Sequence, residues 1–500
     1  MCIYAAHCRK NCTFVRIFMK NYAHLVHNLY SDAVLENISI MAEKQHQNIS
    51  TRLKAGPGYR LYKNYVRWMQ NHLLYRHVHY LHRERVPQAG TPCIIVSNHQ
   101  NCANDPLGIL LGLENEYRPY VIARADAFSI HPLAAKFFYW IGMLPAFRLN
   151  WDGEESLKKN DEIFRISGGK LLEGNRLIMF PEGTHQDKHF LGEFKFGYTR
   201  LAFLTAEMGN FERDVVILPV AHHYSDYFGL QADFMVTVGE PISLAPYYEL
   251  YKTKPRTAQR EVNKLVRTQI ESMMLDVRDV ENYDAIDFLR ETWGRRLAAS
   301  RGLNPDYLPD KLASDRQFVA QMAQMQTGNP DEVQGIYDDA RKLQRGIDRL
   351  RISDGLFDAC PSCLTTFLTV LAQILLLPLW ILSLYPHGIV YNVPKLLLKT
   401  DKMFTNTLIF ILDVVLLLPL FALATLLIMG LTWGLWWEAA AWILLWPLLA
   451  LFAWYDYKWM QRTWRVVRFG CRRNKKEIKS LRTLRENLYG RLDALFNIKK

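Results

Sequence analysis

Cys93-Ile94-Ile95-Val96-Ser97-Asn98-His99-Gln100-Asn101-Cys102-Ala103-Asn104-Asp105-Pro106 is the stretch on which the fold turns. Its first five residues form a short apolar run with three β-branched side chains, the pattern of a buried strand, and they break into a polar loop. Pro106 suits a first helical turn, which places Asp105 to cap a helix continuing through Leu107–Leu113. Working outward, short β-rich runs at Tyr120–Ala123, Leu177–Phe180, Val215–Val220 and Phe234–Val238 alternate with helical stretches. This alternation predicts an α/β domain, a mostly parallel sheet flanked by helices, with its site in loops at the carboxyl ends of the strands.

That domain is expected over residues 59–250. Residues 1–58 are polar, end in Gly56-Pro57-Gly58 and read as an extension. The spacing of Leu61, Tyr65, Trp68, Met69, His72, Leu73 and Tyr80 predicts a basic amphipathic helix over Tyr59–Arg85. Such a helix lies either in a membrane interface or on the surface of the core. Residues 251–358 are charged and helical in pattern.

The net charge of +12 is almost entirely terminal. Residues 458–500 hold 14 Lys or Arg against 3 Asp or Glu, and the other 457 residues are nearly neutral. Just before that tail, residues 364–455 contain six charged side chains, Lys395, Lys399, Asp401, Lys402, Asp413 and Glu438. A membrane region is therefore expected over 359–457, with apolar stretches at 364–385, 404–429 and 433–455. Each has roughly the 20 residues that a spanning helix needs. The Lys residues between the first two stretches and the basic tail both read as cytoplasmic. The two agree if 364–385 dips in and returns while the other stretches form a spanning hairpin. Residues 458–500 read as a basic amphipathic tail, with Trp464, Val467, Ile478, Leu481, Leu484, Leu488, Leu492 and Leu495 as its apolar stripe, and thus as an anchor on an anionic leaflet. No nucleic-acid surface is expected.

Eight cysteines in 500 residues make no disulfide framework, and Cys360-Pro-Ser-Cys363 lacks the partner pair of a zinc site, so no metal is expected. No cleavable signal is expected at the start, because Arg9, Lys10, Arg16 and Lys20 interrupt it.

A histidine leaving a strand can accept a proton, and a carboxylate one short loop away can orient its ring; His99 and Asp105 are so spaced. After Leu177–Phe180 comes Pro181-Glu182-Gly183-Thr184, where glycine admits a ligand to the backbone and a hydroxyl follows. Arg148 and Lys195 add cations suited to an anionic substrate.

In this order the blocks resemble those of the phospholipid/glycerol acyltransferase superfamily, which includes glycerol-3-phosphate and lysophosphatidate acyltransferases. His99…Asp105 is similar to its catalytic pair, Gly142–Arg148 to its second block, Phe180–Thr184 to its third and Ile217–Val220 to its fourth, a strand ending in proline. Five residues separate His99 from Asp105, where four are commoner in the family. The resemblance implies that His99, oriented by Asp105, activates a glycerol hydroxyl. It also implies that Arg148, Glu182, Gly183, Thr184 and Lys195 hold the acceptor, with backbone amides near Gly183 facing the oxyanion. The donor implied is acyl-CoA or acyl carrier protein as co-substrate, with no cofactor; the acceptor is a glycerol-phosphate or a lysolipid at a bilayer. A lysophospholipid-remodelling acyltransferase or transacylase would use the same pair on a different acceptor. A non-enzymatic scaffold on anionic membranes would leave His99 and Glu182 dispensable.

Overall fold

The computed structural model describes residues 56–113, 119–125, 128, 132–146, 155–184, 188–385, 388, 417–472 and 475–498. Arg148, Asp413, the lysines at 395, 399 and 402, and most of the 1–58 extension lie outside them.

The strands are β1 Tyr75–Leu81, β2 Cys93–Ser97, β3 Tyr120–Arg124, β4 Met143–Ala146, β5 Arg176–Met179, β6 Val216–Tyr224, β7 Ala232–Val238 and β8 Ile242–Ser243. They form one sheet in the order β1-β7-β6-β2-β5-β3-β4, with β8 on β6. The ladders from β6 through β2, β5 and β3 to β4 are parallel, as is β1 on β7, while β6 pairs antiparallel with β7 and β8. Strand β2 is central, and all five of its residues are buried. Its alternation feeds both faces. Cys93 and Ile95 join the core under α1 (Pro57–Met69) and α2 (Asn104–Gly112), whereas Ile94 and Val96 pack on the opposite side.

Four expectations are corrected. Tyr59–Arg85 is not one helix: α1 ends at Met69, a π-turn covers Gln70–Leu74, and Tyr75–Leu81 is strand β1. Tyr75, Val78 and Tyr80 are strand-forming side chains, and parallel pairing to β7 together with an ion pair from Arg76 to Asp233 (2.6 Å) outweighs the helical spacing. Tyr59 and Tyr62 of α1 pack on α3 (Pro132–Trp140), with Tyr62 edge-on to Phe137 and Trp140. Second, β6 does not end at its proline but runs on to Tyr224. Pro219 is tolerated in an interior strand because it falls where one edge of β6 changes partner from β8 to β7; there the Pro219 carbonyl accepts the Gly239 amide at 2.8 Å.

Beyond α4 (Glu155–Leu172), α5 (Gly197–Met208), α6 (Tyr248–Thr253) and α7 (Pro255–Met273) come α8 (Tyr283–Glu291), α9 (Gly294–Ser300), α10 (Leu308–Gly328) and α11 (Pro330–Leu350), which share a second core. Among the described residues three apolar helices follow, α12 (Cys363–Ser383), α13 (Leu418–Trp433) and α14 (Trp436–Arg472), then α15 (Lys476–Leu495). Helices α12 and α14 are long and apolar enough to cross a membrane; α13 is shorter. The third correction concerns Trp433, which closes α13 rather than opening the next stretch, because Gly434 turns the chain in the left-handed region (φ +71°).

The fourth concerns the tail. Ile478, Leu481, Leu488 and Leu492 are buried in the second core, so the α15 part of the apolar stripe is covered by protein and not offered to lipid, whereas Trp464 stays exposed. Arg485 grips Asp354 and Asp358, and the Trp293 indole donates to Asp493 at 2.8 Å. Truncating Leu488, 1% exposed, to Ala should cost about 2–5 kcal/mol of unfolding free energy in denaturant titrations; an undocked tail would give no change.

Candidate active site

The edge formed by the carboxyl ends of β2, β5 and β6 gathers the loops named from the sequence. From the end of β2 the chain passes through Asn98, whose side chain accepts the His222 amide at 2.7 Å and donates to the His222 carbonyl at 3.0 Å. This fastens the start of the loop to β6. His99 then projects, its ring stacked on Phe180 at 4.5 Å and its side chain 18% exposed.

The Asp105 carboxylate, with no exposed surface, lies 2.8 Å from His99 Nδ1. The same oxygen accepts the Gln100 and Asn101 amides at 2.7 and 2.8 Å, and Oδ1 accepts the Tyr224 hydroxyl at 2.5 Å. Burial alone would raise this carboxyl; His99, the nearby His222 and the loop amides outweigh it and hold it below its ordinary value. The five-residue spacing thus serves the geometry well, since the loop curls around the carboxylate with Cys102 in the left-handed region (φ 40°). An ionised Asp105 accepts a hydrogen bond from Nδ1–H of His99, which leaves the lone pair of the neutral ring on Nε2.

Tyr224 was not singled out in the sequence. It lies on the part of β6 beyond Pro219, and the only signal would have been that the β pattern of Ala221–Tyr224 continues past the proline. Burial first, then the charge of Asp105, keeps its phenol protonated as a donor. His222, likewise unremarked, stands behind the pair with Nδ1 2.7 Å from Ser97 Oγ, and burial pulls its pKa below the ordinary histidine value.

Glu182 comes to the same edge in a different capacity from a substrate grip. Oε1 accepts the His99 amide at 2.7 Å and Oε2 accepts the Gly192 amide at 2.8 Å, so the carboxyl braces two loops. Gly192 is in turn held by Arg267, whose Nη1 lies 2.5 Å from its carbonyl. Burial pushes the Glu182 carboxyl up to about 7. Gly183 adopts φ +66°, and a Cβ there would stand 3.2 Å from Lys195 Nζ, so glycine allows the ammonium to lie over the turn. The Gly183 amide donates to the Phe180 carbonyl at 3.2 Å, which commits it to the turn and not to an oxyanion. Thr184 and Lys195 are exposed beside this loop. The structure therefore brings together His99, Asp105, Glu182, Gly183, Thr184 and Lys195. Arg148, outside the described residues, follows the end of β4, which lies three strands from β2, about 14 Å away.

Because its folded value is raised above the unfolded value near 4.5, Glu182 favours the fold while protonated, and that contribution is lost as pH rises through about 7. Between pH 5 and 8 the unfolding free energy of the native protein should therefore fall relative to Glu182→Gln, by about 3 kcal/mol at most. Equal pH slopes in urea titrations would show that Glu182 carries no raised value.

Residues 77–223 match the model of the family described as Acyltransferase. The chain is 30% identical over 123 residues to the 1-acyl-sn-glycerol-3-phosphate acyltransferase BAT2, chloroplastic, of Brassica napus, a match covering 24% of this chain and 32% of that protein. The chain thus spans about a third of the length of the curated relative it matches. It is also similar to the crystal structure of the 1-acyl-sn-glycerophosphate (LPA) acyltransferase PlsC from Thermotoga maritima, with 18% identity and a TM-score of 0.28, covering 51% of this chain and 97% of that one. His99, Asp105 and Glu182 all lie within the segment similar to that family model.

Proposed function

We propose that this protein is a membrane-bound enzyme that transfers a fatty acyl group from acyl-CoA or acyl carrier protein to a hydroxyl of glycerol-3-phosphate or lysophosphatidate, with its catalytic domain and basic tail facing the cytoplasm. The observation that carries the reading is the His99–Asp105 pair, 2.8 Å apart, with the carboxylate buried and held by three further donors. His99 Nε2 accepts the proton of the acceptor hydroxyl as its oxygen attacks the thioester carbon. The tetrahedral intermediate collapses with cleavage of the C–S bond, and the imidazolium returns the proton to the departing thiolate. Asp105 stabilises the imidazolium between these steps, so no serine or cysteine nucleophile is required.

The anionic acceptor is met by Lys195 and Thr184 beside the Gly183 turn, and by Arg148, which follows β4 in the sequence. Glu182 acts through the backbone of His99 and is a positioning residue.

His99→Ala should lower acyl transfer by about 10²–10⁴ without releasing the protein from membranes; near-normal turnover would overturn the assignment. Arg148→Ala should raise KM for the acceptor more than for the donor, measured with labelled acyl-CoA and, in turn, glycerol-3-phosphate, dihydroxyacetone phosphate, lysophosphatidate and neutral lysolipids. A preference for the neutral lysolipids would replace biosynthesis by remodelling as the role.

A further inference from the structure

Helix α14 has 37 residues, about 55 Å of helix. It meets the water-soluble body at three levels. Trp446 is buried with Val66 and Met69 in the core beneath the sheet, Tyr455 donates its hydroxyl to Gln231 at 2.8 Å, and Phe469 is buried against Phe357, ring to ring at 5.4 Å. Trp446 and Phe469 are about 35 Å apart along the helix axis, more than the ~30 Å of a bilayer's hydrocarbon core. Standing this stretch across a bilayer would carry the flank of the α/β domain and the second core into hydrocarbon.

The neighbouring helix leads to the same result by a separate route. Helix α12 runs antiparallel to α14, with Gln373 Nε2 2.8 Å from Thr463 Oγ1, Trp380 Nε1 3.1 Å from the Ala453 carbonyl and the Tyr385 ring on that of Trp446. This register sets the uncharged α12 beside the section of α14 that bears Arg462, Arg465 and Arg468. Were α12 to cross a membrane, those arginines would enter the hydrocarbon with it, at several kcal/mol each. Were the pair to stand in water, the outward stripe of Leu364, Phe367, Leu368, Leu371, Ile374 and Leu375 would be hydrated, with Leu375 72% exposed. Both costs vanish when the two helices lie flat, the apolar stripe in the acyl chains and the cations among the headgroups. Lys458, whose ammonium sits 4.8 Å above the Trp454 ring, has the form of a side chain at that boundary.

We propose that α12 and α14 form a platform lying in the plane of a single leaflet that contains anionic phospholipid, and that neither crosses the bilayer. The Gly434 turn, with Trp433, Trp436 and Trp437 around it, stands ten to twelve residues beyond Trp446, about 15–18 Å, and ends within the membrane. The platform also sits at the functional edge. Tyr455 holds Gln231 at the end of the loop leaving β6, and in that loop the Tyr227 carbonyl accepts the side chain of Asn101, two residues from His99. If the acyl-transfer reading holds, a lipid acceptor reaches His99 sideways from the leaflet.

The test uses full-length protein in sealed membrane vesicles, with its cysteines replaced by serine except Cys471 or a single Leu435→Cys, and a membrane-impermeant maleimide applied to each face. Cys471 should label from one face. Leu435→Cys should label only after detergent, or from the same face as Cys471; labelling from the opposite face would overturn the proposal. Leu368→Glu with Leu375→Glu, two exposed positions, should weaken binding to phosphatidylglycerol-containing vesicles by about tenfold or more while leaving the unfolding temperature unchanged; undiminished binding would remove α12 from the platform. Neither readout involves acyl transfer, so the outcome is independent of the His99→Ala result.

Discussion

A carboxylate sealed from water stays ionised only if its oxygens are filled with donors. Asp105 meets that requirement with the His99 ring, two amides of its own loop and the Tyr224 hydroxyl. These donors come from the loop leaving β2 and from the far end of β6, so the carboxylate is satisfied only when the two strands are in register and α2 starts where it does. The same constraint fixes the histidine tautomer. Fold and chemistry depend on one charge.

Glu182 is the second carboxyl at this edge, and its environment pushes it the opposite way. Asp105 is held low by donors to its charge, while Glu182, braced by two amides and otherwise desolvated, is pushed up to about 7. Two acids a few residues apart in space thereby take separate tasks, one orienting the ring and one anchoring the backbone that carries it.

The second core is not an accessory to this edge. Val277 donates to the His189 carbonyl, Asp276 accepts the Leu191 amide, and the buried Arg290 lies 3.3 Å from His189 Nε2. These contacts hold the loop whose Gly192 completes the shell of Glu182. The same core receives α15 and the end of α14, so the long apolar helix and the helices that steady the site share one body of packed side chains.

Local pattern made much of this readable. The strand Cys93–Ser97 has the bounds expected of it, because a run of β-branched residues ending in a polar loop has few other solutions; His99, Asp105 and Gly183 follow strand ends closely, which is why local pattern alone puts them at this edge. What failed to show were relations between distant segments. Strand β1 carried helical spacing and was decided by pairing with β7 about 155 residues later, Tyr224 acquired its role from a carboxylate 119 positions away, and the tail's stripe found helices in place of lipid. Composition marked α12 and α14 as apolar by summing their own side chains. Their orientation rests on what lies beside them, since a helix cannot enter a bilayer without whatever is packed along it, and only the tertiary structure says what that is.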